Sequence, residues 1–351
     1  MTMNPVPLRY EPGAVGPRLS NVAELGSNES PWGPSPCAVA AAARVLTKSH
    51  RYPEPTTVAL RGRLAADAEL SPDYVLVSAG TTALIDLIAR AFVGPGHSAV
   101  VSERSFLAYT VSVAQSGGVL LEAPMRRDTI DLEAVLAAVR PDTTVVFLAN
   151  PNNPTGTAFG RLDFDGFLAR LPGHVLVVLD EAYREYALSL GFDLPDGVGA
   201  LRRDPRVIVL RTFSKVHGLA GLRIGYALAA PALLGQLRPL VPVFSVSDAA
   251  EAAAQEALDD TAHIARAVRS NTDGLRTLTA GLLALGYTPA PSVANFVYVD
   301  VGRPANLVRD ALLAGGVRVR SLAGWGAPTA IRVTVGSPSE IARLLVELGR
   351  S

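Results

Sequence analysis

The run TTVVFLAN at positions 143–150 is almost continuously apolar and rich in β-branched residues. Two runs of the same kind follow it, HVLVVLD at 174–180 and RVIVLRT at 206–212. Strands that are apolar on both faces are typical of a parallel sheet that is covered by helices on both sides. These runs therefore predict the centre of an α/β fold, with ligands bound where the strands end.

The sequence on either side of this centre predicts further strands and helices. YVLVS and SAVVS each lead into an amphipathic helical pattern, and a long helical stretch runs from about Ser247 to Leu285. Shorter strand and helix patterns continue from there to the C-terminus. We expect a large domain with a mostly parallel sheet over residues 46–275. We expect a smaller α+β domain made of residues 1–45 and 276–351.

Composition limits the classes of function. The formal net charge is zero and no long basic run is present, which argues against a nucleic-acid or membrane-surface partner. The lone Cys37 excludes an internal disulfide, and the scattered histidines lack ligand spacing, so we predict no metal site. No apolar run approaches membrane-spanning length and no leader pattern is recognisable, so we expect a cytoplasmic location.

Lysine is rare in this chain. Of the 32 basic residues only Lys48 and Lys215 are lysines. Arginine stays protonated, whereas a lysine amine can lose its proton and form a Schiff base with a carbonyl group. Lys215 lies in RTFSKVHGLAGLRIGYA (211–227), just after a predicted strand. The count alone does not decide whether Lys215 was kept for its chemistry or by chance.

Polar side chains follow the predicted strands. Asp180 ends a very apolar strand, where a carboxylate needs a cationic partner such as a protonated ring nitrogen. Tyr183 follows it and could donate to a phenolate-type oxygen, and the turn NPNNPTG aims the amide of Asn153. Taken in isolation, Asp180 also fits a helix N-cap, and NPNNPTG also fits a structural turn.

Two further strand ends favour a phosphate site. The turn SAGTTA (78–83) leads into a helix, where backbone N–H groups can hold a phosphate, although an ordinary capped helix start has the same pattern. The side chains that could form this site are Thr81, Thr82, Thr212, Ser214 and Arg223. A phosphate site, a ring-nitrogen partner, phenolate donors and an amine together describe a pyridoxal phosphate site.

At these residues the sequence resembles the fold-type-I pyridoxal-phosphate-dependent aminotransferases, in particular the histidinol-phosphate and aromatic-amino-acid aminotransferase family. The resemblance covers essentially the whole chain through the motifs YEPG, GSNESPWGPSP, RYPEP, NPNNPTG, DEAY, RTFSK, ANFVYV and IRVTVGSPSE. It implies a large cofactor-binding domain with a smaller α+β domain. It also implies pyridoxal 5'-phosphate as cofactor, with an amino donor and a 2-oxo acid as substrates.

The resemblance also implies roles for single residues around the cofactor. Lys215 matches the lysine that binds the cofactor and moves the substrate proton, and Asp180 matches the partner of the ring nitrogen. Asn153 and Tyr183 match the donors to the ring hydroxyl oxygen, and Tyr109 matches the aromatic residue stacked on the ring. The matches to the phosphate site are again Thr81, Thr82, Thr212, Ser214 and Arg223.

Further matches concern the substrate and the partner subunit. Tyr52 matches a tyrosine that reaches the phosphate from the other subunit, which implies a homodimer. Arg332 matches the arginine that pairs with the substrate α-carboxylate. Arg320 lies at the position where the family contacts either a phosphate or a carboxylate of the substrate. Trp32 and His217 depart from the usual family residues. Trp32 could be a wall of the substrate pocket or part of the core, and His217 an interior histidine.

We therefore expect an aminotransferase that moves an amino group between histidinol phosphate or an aromatic amino acid and 2-oxoglutarate. A pyridoxal-phosphate-dependent decarboxylase or cyclase would use Lys215 in the same way and is the alternative within enzymes. A regulator with an aminotransferase-like domain is a further alternative. It predicts a basic DNA-binding region, and we find no basic region of that kind in the sequence.

Overall fold

The computed structural model describes residues 21–350, so the motif YEPG and the first 20 residues of the predicted small domain lie outside it. The strands of this part of the chain are β1 (Ala23–Glu24), β2 (Val75–Ser78), β3 (Ser98–Ser102), β4 (Val119–Ala123), β5 (Met125–Arg126), β6 (Thr129–Ile130), β7 (Thr143–Ala149), β8 (Leu176–Asp180), β9 (Val207–Thr212), β10 (Gly225–Leu228), β11 (Phe296–Asp300), β12 (Val317–Arg318), β13 (Arg320–Ser321) and β14 (Ala330–Thr334).

The helices cover the sheets and connect their strands. The α-helices are α1 (Pro36–Leu46), α2 (Val58–Asp67), α3 (Thr81–Phe92), α4 (Leu107–Ser116), α5 (Leu132–Ala138), α6 (Arg161–Arg170), α7 (Arg184–Ser189), α8 (Gly197–Arg203), α9 (Pro231–Leu237), α10 (Asp248–Asp259), α11 (Thr261–Ala284), α12 (Ala305–Ala314) and α13 (Pro338–Arg350). Short 3₁₀ helices lie at Pro72–Tyr74, Ala220–Leu222, Arg238–Leu240 and Ala323–Trp325. No helix in the described range is both long and apolar enough to cross a lipid bilayer.

The largest sheet has seven strands in the order β2-β10-β9-β8-β7-β3-β4. Strand β10 runs antiparallel to both of its neighbours, β2 and β9, and the remaining neighbours are parallel. The predicted α/β fold with a mostly parallel sheet is confirmed. Each of the five apolar runs singled out in the sequence contains one of its strands, whereas β4 and β10 were not predicted.

Both faces of this sheet are buried, which explains why its strands are apolar without interruption. Along β7, Val146 and Leu148 pack in one hydrophobic cluster, while Val145 and Phe147 pack in another on the opposite face. Successive side chains of a strand point to opposite faces, so a strand between two helical layers needs apolar residues at every position.

The C-terminal part contains a second, antiparallel sheet in the order β11-β14-β13. Strand β1 pairs in parallel with β12, and Ala23 and Leu25 join the hydrophobic cluster of this part. The N-terminal segment therefore packs against the C-terminal strands. The domain limits stay a prediction, and helix α11 runs without a break through the predicted limit at residue 275.

Candidate active site

The carboxyl ends of β7, β8 and β9 face one cavity of about 400 Å³. This volume is in the range of small-molecule sites. Of the residues predicted from the sequence, the cavity is lined by Thr81, Thr82, Tyr109, Asn153, Asp180, Tyr183, Thr212, Ser214, Lys215, Arg223, Arg320 and Arg332. Trp32 and Tyr52 do not line it. Residues that are far apart in the sequence thus meet at the strand ends.

Lys215 follows β9 and enters the cavity with its amine. Its Nζ lies 3.5 Å from the Ser27 carbonyl oxygen and 5.5 Å from the centre of the Tyr183 ring. Burial, together with the nearby positive charges of Arg332 and Arg223, lowers the pKa of Lys215 to about 8. A sizeable fraction of the amine is therefore neutral and nucleophilic in mildly alkaline solution.

Asp180 is the last residue of β8 and is buried. Its Oδ2 accepts a hydrogen bond from the Tyr109 hydroxyl at 2.8 Å, and its Oδ1 accepts one from the Ala182 N–H at 3.1 Å. Burial raises the pKa of Asp180 to about 6, although the Tyr109 hydrogen bond opposes the shift. Helix α7 begins only at Arg184, with Tyr183 at its cap position, so Asp180 is not its N-cap.

Tyr109 lies in a different environment from that expected of a side chain stacked on a cofactor. Its ring stacks on Phe147, with centroids 5.0 Å apart, while its hydroxyl binds Asp180. Phe106, three residues earlier, also lines the cavity and meets Tyr109 edge-on at 5.8 Å. The stacking role of Tyr109 stays a prediction, and Phe106 is a second candidate for it.

The antiparallel strand β10 begins two residues after Arg223, which lines one end of the cavity. Its first residue, Gly225, pairs with Ser78 of β2 on one side and with Thr212 of β9 on the other. Arg223 precedes it in the left-handed region (φ 53°). The Arg223 guanidinium lies close to Gly80, so a Cβ added at Gly80 would be 2.7 Å from Arg223 Nη2. Glycine at position 80 therefore leaves room for the arginine.

This end of the cavity fits a phosphate group. Helix α3 begins at Thr81, and its cap residue Gly80 has no side chain to bind the first N–H groups. Those N–H groups and the helix dipole favour an anion. Arg223 Nη1 lies 3.5 Å from Ser214 Oγ, which brings a guanidinium and a hydroxyl to the same place. Together with the Lys215 amine and the buried Asp180 carboxylate, these donors match the chemistry of pyridoxal phosphate.

Two buried arginines on neighbouring strands also line the cavity. Arg320 of β13 is directly opposite Arg332 of β14 in the strand register. Arg332 donates to Asn153 Oδ1 and, at 2.7 Å, to the Gly26 carbonyl oxygen. The Arg320 guanidinium lies over the Trp325 ring at 4.6 Å from its centre. Two guanidinium groups in the wall of one cavity are suited to bind the oxygens of a carboxylate or phosphate.

The sequence profile of the family described as Aminotransferase class I and II matches residues 20–348. The chain belongs to the class I and II aminotransferases. This aminotransferase is 44% identical to the histidinol-phosphate aminotransferase of Anaeromyxobacter sp. (strain Fw109-5), over 95% of the chain and 91% of the relative. It is also 44% identical to histidinol-phosphate aminotransferase 2 of Pseudomonas aeruginosa, over 94% of the chain and 89% of the relative.

A solved structure shares the fold of this aminotransferase. It is the histidinol-phosphate aminotransferase from Sinorhizobium meliloti in complex with pyridoxal-5'-phosphate. The two superpose with a TM-score of 0.87 at 32% sequence identity, over 94% of this chain and 90% of the other. The predicted fold-type-I architecture is confirmed.

The structure places two predicted residues of the aminotransferase outside the cavity. Tyr52 is 82% exposed and stacks on Phe244, with ring centres 4.6 Å apart. Trp32 lines a separate, very small cavity. His263 of α11 lies within hydrogen-bonding distance of the Gly33 carbonyl oxygen (3.2 Å) and so holds the turn after Trp32 against that helix. Trp32 thus does not line this cavity, and its role as a wall of the substrate pocket stays a prediction.

The other departure from the family, His217, is an interior residue. It is buried, and its ring packs against Phe213 with centres 4.9 Å apart. Burial lowers its pKa to about 4, so it is neutral at physiological pH.

Several residues that line the cavity of the aminotransferase were missed in the sequence, among them Asn28, Phe106 and Trp325. Asn28 donates from Nδ2 to the Tyr183 hydroxyl at 3.0 Å, and Phe106 and Trp325 form part of the wall. Asn28 comes shortly after the two-residue strand β1, which is too short to give a recognisable pattern. Trp325 lies in a turn, and its only signal is that tryptophan is rare in this chain.

Within residues 21–350 no group of three or more His, Cys, Asp or Glu side chains is placed to hold a metal ion.

Proposed function

We propose that this aminotransferase holds pyridoxal 5'-phosphate in the cavity and moves an amino group from L-histidinol phosphate to 2-oxoglutarate. The names of its relatives support this substrate. The observation that carries the proposal is the pair of buried arginines, Arg320 and Arg332, which line the same cavity as Lys215 and Asp180. When bound, pyridoxal phosphate supplies an electron sink for the electrons left behind when a proton leaves the substrate α-carbon.

The arginine pair suits both proposed substrates. Histidinol phosphate has no carboxylate, so Arg320 and Arg332 can bind its phosphate together. 2-Oxoglutarate has two carboxylates, and guanidinium groups bind carboxylate and phosphate oxygens through paired hydrogen bonds. An aromatic amino acid has a single carboxylate, which would occupy Arg332 and leave Arg320 without a substrate anion.

The remaining residues hold the reacting groups and move the proton. Lys215, with its pKa near 8, takes the proton from the substrate α-carbon and returns it, as a general base and then an acid. Asp180 holds a proton on the cofactor ring nitrogen, and the Tyr109 hydroxyl orients its carboxylate. Tyr183, which accepts a hydrogen bond from Asn28, donates to the ring hydroxyl oxygen.

The other predicted cofactor residues complete this assignment. Arg332 orients the Asn153 amide through Oδ1, so that Asn153 donates beside Tyr183. The phosphate is bound by the N-terminus of α3 and by Thr81, Thr82, Thr212, Ser214 and Arg223. Transamination is favoured over the decarboxylase or cyclase alternative because the relatives are named as aminotransferases. Amino exchange with 2-oxoglutarate separates these reactions.

We also propose that the enzyme is a homodimer in which Tyr52 reaches the phosphate site of the partner subunit. The Tyr52 side chain is exposed and does not line the cavity of its own chain. Its stacking partner Phe244 is also exposed. Two more exposed apolar residues lie nearby in the sequence: Val243 precedes Phe244, and Val58 follows Tyr52 by six residues. An exposed apolar patch of this kind favours a protein contact. The cytoplasmic location stays a prediction.

The substrate is tested by changing Arg320. Kinetics with L-histidinol phosphate and with L-phenylalanine are compared in the wild type and in Arg320→Ala. A charged hydrogen bond contributes about 1.5–3 kcal/mol, so kcat/KM for histidinol phosphate should fall roughly ten- to a hundredfold, while phenylalanine is spared. Arg276→Ala, which changes an exposed arginine of α11, is the matched control. Equal losses for both donors, or no loss, would contradict the assignment.

A further inference from the structure

Trp325 lies in the turn between β13 and β14, and the mechanism above gives it no role. Its backbone N–H donates to the Leu322 carbonyl oxygen at 2.8 Å, and the Ala327 N–H donates to the same oxygen at 3.2 Å. Gly326 between them adopts the left-handed region (φ 74°), which lets the chain reverse here. The turn closes on itself and fixes the Trp325 backbone between the two arginine-bearing strands.

The indole of Trp325 is fixed as well. Only 8% of the residue is exposed, and it packs in a hydrophobic cluster with Tyr298, Leu322 and Ala330. Leu107, next to the cavity residue Phe106, packs against the same cluster. The indole therefore belongs to the core of the hairpin while it also forms part of the cavity wall.

Arg320 rests on this fixed surface. Its guanidinium carbon lies 4.6 Å from the centre of the Trp325 ring, within the range of a cation–π contact. The donors of a guanidinium lie in its plane, so a contact between the Trp325 ring and the guanidinium carbon holds the group without using those donors. A long side chain that is already held in place also loses less rotamer freedom when a ligand binds.

We infer that Trp325 is a specificity-determining positioning residue, which holds Arg320 ready to receive the oxyanion at the end of the substrate remote from the amine. Such an oxyanion lies between Arg320 and Arg332, with the indole beside it. The ligand class is an amino compound or oxo acid that carries a phosphate or carboxylate at that end. The identity of the natural substrate rests on the proposed function, whereas the Arg320–Trp325 contact does not.

The test uses the holoenzyme and two substrates that differ only in the anion, L-histidinol phosphate and L-histidinol. Trp325→Leu should raise KM for histidinol phosphate roughly tenfold, with kcat nearly unchanged and kcat/KM for histidinol preserved. Trp325→Phe keeps an aromatic face and should restore most of the loss. Tyr287→Leu, an aromatic-to-leucine change at a residue that packs against the neighbouring hydrophobic cluster and does not line the cavity, is the control and should keep the wild-type preference.

Two results would overturn the inference. Equal losses of kcat/KM for both substrates in Trp325→Leu would show that Trp325 has a merely structural role. A Trp325→Phe variant that is no better than Trp325→Leu would show that the aromatic face does not matter. KM for 2-oxoglutarate separates the two oxyanions. If KM of Trp325→Leu rises for 2-oxoglutarate as it does for histidinol phosphate, a carboxylate uses the same contact. If KM rises for histidinol phosphate alone, the contact serves phosphate. Either result supports the role of Trp325.

A calorimetric titration with inorganic phosphate keeps this inference apart from the proposed function. If the wild-type holoenzyme does not convert histidinol phosphate, the proposed substrate fails. Weaker phosphate binding by Trp325→Leu than by the wild type would still support the inference. Equal binding by the two proteins, or no binding by the wild type, would overturn it.

Discussion

Burial moves the pKa values of Lys215 and Asp180 towards each other. It lowers that of Lys215 from 10.5 to about 8 and raises that of Asp180 from 3.8 to about 6. Groups that titrate near neutral pH inside a cavity are typical of catalytic sites. Both residues could be found in the sequence because each lies at or just after the end of an apolar strand. The hydrogen bond from Tyr109 could not, because the direction of that side chain depends on how α4 packs against the sheet.

The role of Tyr109 predicts a shift in pH dependence. Asp180 must be ionised to hold the ring nitrogen, so cofactor binding should weaken as pH falls through about 6. Tyr109→Phe removes a hydrogen bond that lowers the pKa of Asp180. The loss should then begin about one pH unit higher, since such a bond to a charged group contributes about 1.5 kcal/mol or more. The measurement is the dissociation constant of pyridoxal phosphate between pH 5 and pH 9.

Tyr186→Phe removes another buried tyrosine hydroxyl and is the control. Within residues 21–350 the hydrogen bonds to the Asp180 side chain come from Tyr109 and Ala182. The control should therefore follow the wild-type curve. Identical curves for Tyr109→Phe and the wild type would show that the hydrogen bond does not tune Asp180.

Strand β10 is the element that the sequence predicted least well. Its residues follow Lys215 in a glycine-rich segment, and nothing in their pattern shows that they insert antiparallel between β2 and β9. The insertion depends on close backbone approach at Gly225, where an added Cβ would lie 3.0 Å from the Thr81 nitrogen. The strand ends were predictable from local pattern, whereas this pairing between distant segments was not.

The phosphate end of the cavity predicts a strong effect at Gly80. An alanine there would be strained at φ 86° and would meet Arg223 Nη2 at 2.7 Å. Gly80→Ala should lower the free energy of unfolding by about 1–3 kcal/mol and weaken cofactor binding. Gly166→Ala, inside α6 with nothing within 4 Å of the added Cβ, should be neutral or stabilising. Chemical denaturation and cofactor titration measure both variants, and a Gly80→Ala protein with wild-type affinity would contradict the assignment.

At the scale of the molecule, the cavity joins segments that are hundreds of residues apart. Lys215 approaches Ser27, and Arg332 binds both Gly26 and Asn153. Periodicity and local motifs do not reveal such contacts, so the resemblance to a family carried this part of the prediction. The resemblance gave no role for Trp32, where the chain departs from the family, and the structure holds the turn that follows this residue against α11.

The proposed homodimer predicts complementation between two defective chains. Lys215→Ala lacks the amine but keeps Tyr52, and Tyr52→Ala lacks the tyrosine but keeps the amine. A hybrid dimer would contain one site with both groups, so mixed and refolded subunits should be more active than the mean of the two variants at limiting cofactor. Activity equal to that mean would show that Tyr52 does not act across the subunit interface. Light scattering gives the oligomeric state independently.

The central claim is that Lys215 binds pyridoxal phosphate covalently in this cavity. The most direct measurement is reduction of the cofactor-loaded protein with borohydride, followed by mass spectrometry of its peptides. The chain has two lysines, Lys48 and Lys215, so the competing position is defined. We predict a pyridoxyl phosphate adduct on Lys215 that is lost in Lys215→Ala and kept in Lys48→Arg. An adduct on Lys48, or no adduct on either lysine, would contradict the account.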